Sequence, residues 1–248
     1  MDLGLKGRTA IVCGSSSGMG LAIAERLAAE GANVAMLGRR RELLHREAER
    51  IGGLAVQGDL TIPAHLDRLV ETTRQAFGGI DILVLNGGGP PPGSALDVTP
   101  ESVEEAVSLL LAPFVSLTAR CLPFLRESGQ ARILAIESIS VREPIAGLAL
   151  SNAIRPGVVG WLKTLARELG PEAITVNTIA PGRIATDRMR TIYGADGPSP
   201  TELQAIPVGR LGDAAEIAAV AAFLVSAPAS YVTGAVIPVD GGLSRSLL

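Results

Sequence analysis

The residues Gly14, Ser15, Ser16, Ser17, Gly18, Met19 and Gly20 constrain this chain more than any others. They stand between Thr9–Cys13, a short apolar run of β type, and Leu21–Ala29, which has the spacing of a buried helix. A strand that passes through glycines directly into a helix brings the unsatisfied N–H groups and positive dipole end of that helix against the turn. Gly14 permits the tight turn, Gly18 lets backbone approach a phosphate, and Gly20 lets helix and strand pack closely. The unit is a cradle for the pyrophosphate of a dinucleotide. The alternative, a glycine-rich turn with no ligand, is disfavoured by the strand–turn–helix context.

The alternation continues down the chain. Asn33–Leu37, Leu54–Gln57, Ile80–Leu85, Ile133–Ile136 and Thr175–Ile179 read as strands, with Leu43–Ile51, Leu66–Phe77, Val103–Leu125 and Val158–Leu169 as helices between them. Strands that are nearly continuous apolar runs are buried on both faces, as in a parallel sheet covered by helices. Right-handed crossovers then give a doubly wound sheet. Thr99-Pro100 is an N-cap followed by Pro at the first helical position, and Asp213 with Glu216 is a capping-box variant ahead of the helix Ile217–Val225. Pro90-Pro91-Pro92-Gly93 marks a loop. The long irregular stretch Thr186–Pro207, which holds Tyr193, fits a substrate loop. No linker, repeat or low-complexity tract divides the 248 residues, so the expectation is one α/β domain over 1–248, a Rossmann-type doubly wound parallel sheet with helices on both faces.

Net charge near −3 gives no general attraction to nucleic acid or to an anionic membrane. No apolar run reaches the ~18 residues of a membrane span, and the start MDLGLKGRTAIVCG lacks the pattern of a secretory signal. Cys13 and Cys121 sit in apolar contexts as buried thiols, and His45 and His65 lie on mixed-polarity helical stretches that do not suggest a metal site. A cytoplasmic protein without a metal is expected.

The spacing Gly-x-x-x-Gly-x-Gly at 14–20 resembles the short-chain dehydrogenase/reductase family, and the resemblance spans essentially the whole chain. It implies an adenine contact at Asp59-Leu60, a cofactor-lining turn at Asn86-Gly87-Gly88-Gly89, and a nicotinamide-flanking segment at Pro181-Gly182 with Ile184 and Thr186. Gly209-Arg210-Leu211-Gly212 and Ala235 through Asp240-Gly241-Gly242 match the family's C-terminal signature. The general look is closest to 3-oxoacyl carrier-protein reductase-like members. Charge bears on the choice of dinucleotide. An acid ending the second strand would bind the ribose 2′-hydroxyl, but here the strand runs into Gly38-Arg39-Arg40-Arg41. Arg39 is placed to pair with a 2′-phosphate, so NADP(H) is expected over NAD(H), whereas Arg40 and Arg41 read as part of a solvated helix face alternating with Glu42, Glu47 and Glu49.

The chain departs from the family at its chemistry. Ser138 matches the family's Ser, but Ser151 stands where the Tyr is expected, Arg155 where the Lys is expected, and Leu109 at the Asn position. A phenol has an unperturbed pKa of ~10 that a nearby cation can lower, whereas an aliphatic hydroxyl is a poor proton donor. Arg155 keeps the positive charge and the capacity to bond the cofactor ribose, but it cannot share protons as Lys does. Ser138 and Ser151 can orient a carbonyl oxygen, with Arg155 stabilising oxyanion charge. Tyr193, Glu137 and Glu143 are substitute acids, although alternation with Ser138 directs Glu137 away from the site. Arg142, Arg183, Arg188 and Arg190 either recognise an acidic substrate or merely solvate the surface. Two functions stay open: an atypical NADP(H)-dependent reductase acting on a small carbonyl or alcohol, and a non-catalytic dinucleotide-binding sensor or partner subunit. The resemblance also implies a homodimer or homotetramer, with Val103–Leu125 and Val158–Leu169 as candidate interface helices.

Overall fold

Every residue of Thr9–Cys13 (β1), Ile82–Asn86 (β4), Arg132–Ile136 (β5) and Thr175–Pro181 (β6) is buried. Strands without an exposed residue need cover on both faces, and the structure supplies it. In this computed structural model, which describes residues 1–187, 189, 194 and 197–247, those strands join Asn33–Gly38 (β2), Leu54–Gln57 (β3) and Val236–Val239 (β7) in one parallel sheet. Its order is β3-β2-β1-β4-β5-β6-β7. The strand order reverses between β1 and β4, where Ala10 lies opposite Ile82 and Val12 opposite Val84.

Alternation along the strands splits the core. Val12, Met36, Val84, Leu134 and Ile136 face one side, where they meet Gly18–Ala29 (α1), Arg41–Ile51 (α2) and Ala214–Leu224 (α8). Ile11, Cys13, Leu37, Leu85 and Ala135 face the other, against Pro63–Phe77 (α3), Ala112–Glu127 (α5) and Ala149–Leu169 (α6). Pro100–Leu110 (α4) precedes α5, and Pro200–Gln204 (α7) lies within the stretch read as irregular. Both thiols are buried and free, and burial pushes the Cys13 thiol up to about 12.

Three expectations are corrected. Val103–Leu125 is not one helix, because α4 ends at Leu110 and α5 begins at Ala112, where Pro113 cannot donate an intrahelical hydrogen bond. By length and composition Pro100–Glu127 is nonetheless long and apolar enough to cross a membrane, against the expectation of no such run. In this fold it packs on α3, β4 and α6. Finally, α6 starts at Ala149 rather than Val158, because its first two turns face a cleft and so lack the apolar stripe that marks the rest.

The expected caps are in place. Thr99 Oγ1 accepts from Ser102 N–H at 3.3 Å, and Asp213 Oδ1 accepts from Ala215 N–H at 2.9 Å while Glu216 Oε2 accepts from Asp213 N–H at 2.8 Å. Arg210 of the C-terminal signature grips Glu216 through two bonds of 2.8 and 2.7 Å and holds its carboxyl down at about 2.

Phe114 is 1% exposed and lies under the exit of β4, where a Cβ added at Gly87 would sit 3.4 Å from its ring. Truncation opens a cavity that neither the sheet nor α5 can close. Phe114→Ala is expected to lower stability by about 3–5 kcal/mol, read as a shifted urea midpoint with an unchanged slope.

Candidate active site

The glycine turn is held by contacts that leave no room for side chains. A Cβ at Gly20 would lie 2.3 Å from Gly14 O and 2.7 Å from Asn86 Nδ2, so α1 can start this close to β1 only with glycine there. Gly14 and Gly18 adopt φ of 59° and 58°, in the left-handed region that favours glycine. Asn86, the last residue of β4, donates through Nδ2 to Cys13 O at 3.1 Å and Gly14 O at 3.4 Å, which bolts the turn to the neighbouring strand. Ser15 Oγ donates back to Val12 O at 2.8 Å. Ser17, the N-cap of α1, makes no side-chain cap bond, and the first-turn N–H groups stay available to an anion. These features fit a dinucleotide pyrophosphate.

The ends of β2 and β3 form the adjoining wall. Arg39 is 78% exposed on its side chain and approaches Asp59 Oδ2 at 4.0 Å. Asp59 is otherwise engaged by the Thr61 backbone N–H, which chiefly holds its carboxyl below the usual range. Arg40, assigned from sequence to the solvated helix face, instead reaches back to the turn and donates to the hydroxyls of Ser16 and Ser17. Its importance rests on a tertiary contact that charge patterning does not encode. On the far side, Thr186 packs over Gly18, whose added Cβ would meet Thr186 Cγ2 at 3.4 Å. Gly182 is needed because a Cβ there would lie 2.7 Å from Asp240 Cα, so the Pro181-Gly182 segment and the C-terminal signature share one tight contact. Leu60 is half-buried beside the α3 side of the core.

Beyond the turn opens a cleft of about 720 Å³. Its walls bring together Met19, Asn86, Gly87, Gly88, Ser138, Ser151, Arg155, Pro181, Gly182, Ile184 and Thr186, which the sequence had scattered over nearly the whole chain. Pro144, Ile145, Leu148 and Leu243 supply apolar wall. Asn152, unmarked in the sequence, fixes part of that wall: its Oδ1 accepts from Ile145 N–H at 3.0 Å and its Nδ2 donates to Ile145 O at 2.8 Å. Leu109 lines a separate small hollow with Pro90, Pro91 and Pro92.

At the base of the cleft is a buried polar network. Arg155 donates through Nε to Ser151 Oγ at 3.0 Å, through one terminal nitrogen to Glu137 Oε2 at 2.8 Å, and through the other to Gly88 O at 3.0 Å. Ser151 Oγ lies 3.4 Å from Ser140 Oγ, and Ser138 Oγ accepts from Ser140 N–H at 3.1 Å. The expectation that Glu137 points away is thereby corrected. Alternation does turn it from the Ser138 side, but the face it turns to is the one covered by α6, where Ser151 and Arg155 project one helical turn apart. The Glu137 side chain has no exposed surface and that of Arg155 is 10% exposed. Burial pushes the Glu137 carboxyl up, against the lowering effect of the Arg155 guanidinium.

The other described candidates are engaged with protein partners. Arg142 donates to Val236 O at 3.0 Å and Arg183 to Glu202 O at 2.5 Å, so both brace backbone. Glu143 lines the cleft and accepts from Arg245 N–H at 2.9 Å. Arg188, Arg190 and Tyr193 fall outside the described residues. Among the described residues no cluster of His, Cys, Asp or Glu could hold a metal ion.

Removing one member of a buried pair leaves the other uncompensated, a loss of about 3–5 kcal/mol in typical cases. Arg155→Met is expected to destabilise the protein by that order. It also raises the Glu137 carboxyl further above its unfolded value, so the variant's stability is greatest below the unfolded carboxylate range and falls as pH rises. Urea midpoints of the variant measured from acid to alkaline pH, beside the unmutated protein, check both the loss and its sign.

Comparison with known proteins agrees with this geometry. Residues 14–244 match the family model described as enoyl-(acyl carrier protein) reductase. The 3-oxoacyl-[acyl-carrier-protein] reductase FabG of Vibrio cholerae serotype O1 is 33% identical over 243 residues, covering 97% of this chain and 99% of that protein. Dehydrogenase/reductase SDR family member 4 of Oryctolagus cuniculus is 34% identical, over 98% of this chain and 96% of that protein. The solved structure of L-sorbose reductase from Gluconobacter frateurii, in complex with NADPH and L-sorbose, superposes with a TM-score of 0.92 at 33% identity over 100% of both chains. A glycine turn at the β1–α1 junction, a cleft at the carboxyl ends of the strands and a match running nearly end to end make this chain a member of the short-chain dehydrogenase/reductase family, in its 3-oxoacyl carrier-protein reductase-like branch.

Proposed function

We propose that the protein transfers hydride between NADP(H) and a small carbonyl or alcohol substrate held in the 720 Å³ cleft. The observation that carries this reading is the convergence, on one cleft, of the glycine turn with Ser138, Ser151 and Arg155. The dinucleotide, when bound, supplies or accepts the hydride. Gly14, Ser15, Ser16, Ser17, Gly18, Met19 and Gly20 would cradle its phosphates, and Asp59 and Leu60 would border the adenine. Asn86, Gly87, Gly88, Pro181, Gly182, Ile184 and Thr186 would line the nicotinamide half. Ser138 and Ser151 orient the substrate oxygen, and Arg155, fixed through three donors, supplies positive potential where oxyanion charge develops. The apolar wall at Pro144, Ile145 and Leu148 favours a substrate with a hydrocarbon body.

The preference for the 2′-phosphorylated dinucleotide rests on charge. No acid closes β2, and Arg39 and Arg40 flank the turn, one exposed and loosely paired with Asp59 at 4.0 Å, the other already bonded to Ser16 and Ser17. The L-sorbose reductase relative, solved in complex with NADPH, supports the same choice. We further propose that the protein works in the cytoplasm as a homodimer or homotetramer. Val103 and Val115 are exposed on α4 and α5, and the most apolar window of that stretch is only 33% buried within one chain, which suits a helix face covered by a second copy.

A second reading, a dinucleotide-binding sensor or partner subunit without turnover, is favoured by one observation: all three arms of Arg155 are committed to protein partners, and one of those partners is Ser151. Single-turnover mixing of the NADPH-loaded protein with ketones, aldehydes and β-ketoacyl thioesters separates the two. Substrate-dependent loss of nicotinamide absorbance, reduced by roughly 10²–10³-fold in Ser138→Ala as for loss of an oxyanion donor, supports the reductase. Tight NADPH binding with no oxidation across the panel supports the sensor. In the same preparations, the Arg39→Ala/Arg40→Ala variant is expected to bind NADPH about ten- to a hundredfold more weakly, as for loss of a hydrogen bond to a charged group, while NADH binding is little changed.

A further inference from the structure

Glu143 stands at the end of the turn that begins at Ser138. Val141 N–H donates to Ser138 O at 3.1 Å and Glu143 N–H to Ile139 O at 3.2 Å, so hydrogen-bonded backbone fixes the span between the two residues. At a helical rise per residue that span is roughly 8–10 Å. Both residues line the substrate cleft, and Glu143 is only half-buried, so its carboxylate is accessible to a ligand there.

The C-terminal tail holds that carboxylate in place. Asp240 turns the chain after β7 by accepting from Gly242 N–H and Ser244 N–H, at 2.9 Å each. The turned tail adds Leu243 to the cleft wall and brings Arg245 N–H to Glu143 Oε1 at 2.9 Å. Oε2 has no hydrogen-bond or ion-pair partner among the described residues. A carboxylate oxygen only accepts, so its natural partner is a donor. The other charged groups of the cleft are engaged. Arg155 and Glu137 hold each other, Arg183 braces Glu202 O, and the Glu202 carboxylate takes the N–H and the hydroxyl of Ser199.

We propose that Glu143 is a specificity-determining residue, its Oε2 accepting a hydrogen bond from a hydroxyl that the substrate carries a few bonds beyond its carbonyl. The assignment deepens the carbonyl-reductase reading above and rests on it. With the carbonyl oxygen at Ser138 and Ser151, the hydrocarbon part of the substrate lies along Pro144, Ile145, Leu148 and Leu243, and its hydroxyl reaches Glu143. A hydrogen bond to a charged acceptor is worth more than one between neutral groups, and an apolar substrate end would strip water from the carboxylate without replacing it. An acidic substrate end would meet like charge. Arg142 and Arg183, considered from sequence for an acidic substrate, donate instead to the backbone carbonyls of Val236 and Glu202. The substrate class is therefore a neutral hydroxy-ketone or hydroxy-aldehyde, with a diol as its reduced form, and not a keto acid.

Methyl ketones from butanone to octanone, each beside its ω-hydroxy and ω-carboxy counterparts, test the proposal on the NADPH-loaded protein. At the best length, the ω-hydroxy ketone is expected to exceed the matching methyl ketone by about ten- to a hundredfold in kcat/KM, as for a hydrogen bond to a charged group, with the keto acid below both. Glu143→Gln keeps an oxygen for the Arg245 N–H but removes the charge and presents a donor. In that variant the hydroxy advantage should shrink and the keto acid should gain several-fold. A variant that merely loosened the tail would lose all three substrates alike. Turnover without a hydroxy preference in the unmutated protein, or an equal fall of all three substrates in Glu143→Gln, sinks the role of Glu143 alone. Calorimetric binding of the same compounds to the NADP⁺ complex, in which no hydride can pass to a ketone, reads the same order without chemistry. If no ketone is reduced, the carbonyl-reductase reading fails, and the role of Glu143 in ligand recognition stands or falls on whether binding follows that order.

Discussion

Where β1 and β4 part at their carboxyl ends, two strands that are hydrogen-bonded neighbours lead into connections on opposite faces of the sheet. The crevice so formed is the one place where a ligand can reach strand ends, a helix N-terminus and loops from both halves at once. Its geometry depends on Asn86 reaching across to the carbonyls of Cys13 and Gly14, and on Gly20, where an added Cβ would lie 2.3 Å from Gly14 O. That contact sets the position of α1, whose other face carries the α8 packing that closes one half of the core. The far lip is set by a second contact of the same kind, Gly182 on Asp240. Two backbone approaches that only glycine permits thus fix both rims of the cleft, and side chains between them inherit their positions.

Much of this was legible from sequence because its causes are local or periodic. The buried strands announced themselves as apolar runs, the caps at Thr99 and Asp213 by residue type and spacing, and the glycine turn by its place between strand and helix. Ser138, Ser151 and Arg155 could be named by their distance along the chain, and the structure brings them to one wall. What escaped was of two kinds. The break at Leu111 and the early start of α6 come from a proline and a cleft-facing first turn, and neither disturbs apolar spacing in a way a reader can distinguish from noise. Arg40, Asn152 and Glu137 act through partners 24, 7 and 18 residues away. For Glu137 the period-two rule was correct about direction and misleading about destination. The face opposite Ser138 is not solvent but the flank of α6, and only the packing of that helix on the sheet makes a carboxyl there part of the site.

Ser151 and Arg155, where the family resemblance implies a Tyr and a Lys, form one connected arrangement on α6. A lysine ammonium is a point charge on a flexible stem, whereas the guanidinium fork offers donors in fixed directions. Arg155 uses that fork to span Ser151 on its own helix, Gly88 beyond β4 and Glu137 at the end of β5. It thereby ties α6 to two strands at the level of the cleft. Neither charge of the pair would be tolerable alone at this depth: a permanent cation without a counter-ion would face the full cost of desolvation, and a lone carboxyl would stay protonated and could not reversibly give up its proton. Together they form a buried, hydrogen-bonded pair in which burial pushes the Glu137 carboxyl up and the guanidinium opposes that shift. The small Ser151, itself on the wall of the cleft, leaves the space a phenol would fill, and its hydroxyl is held there by the Arg155 fork.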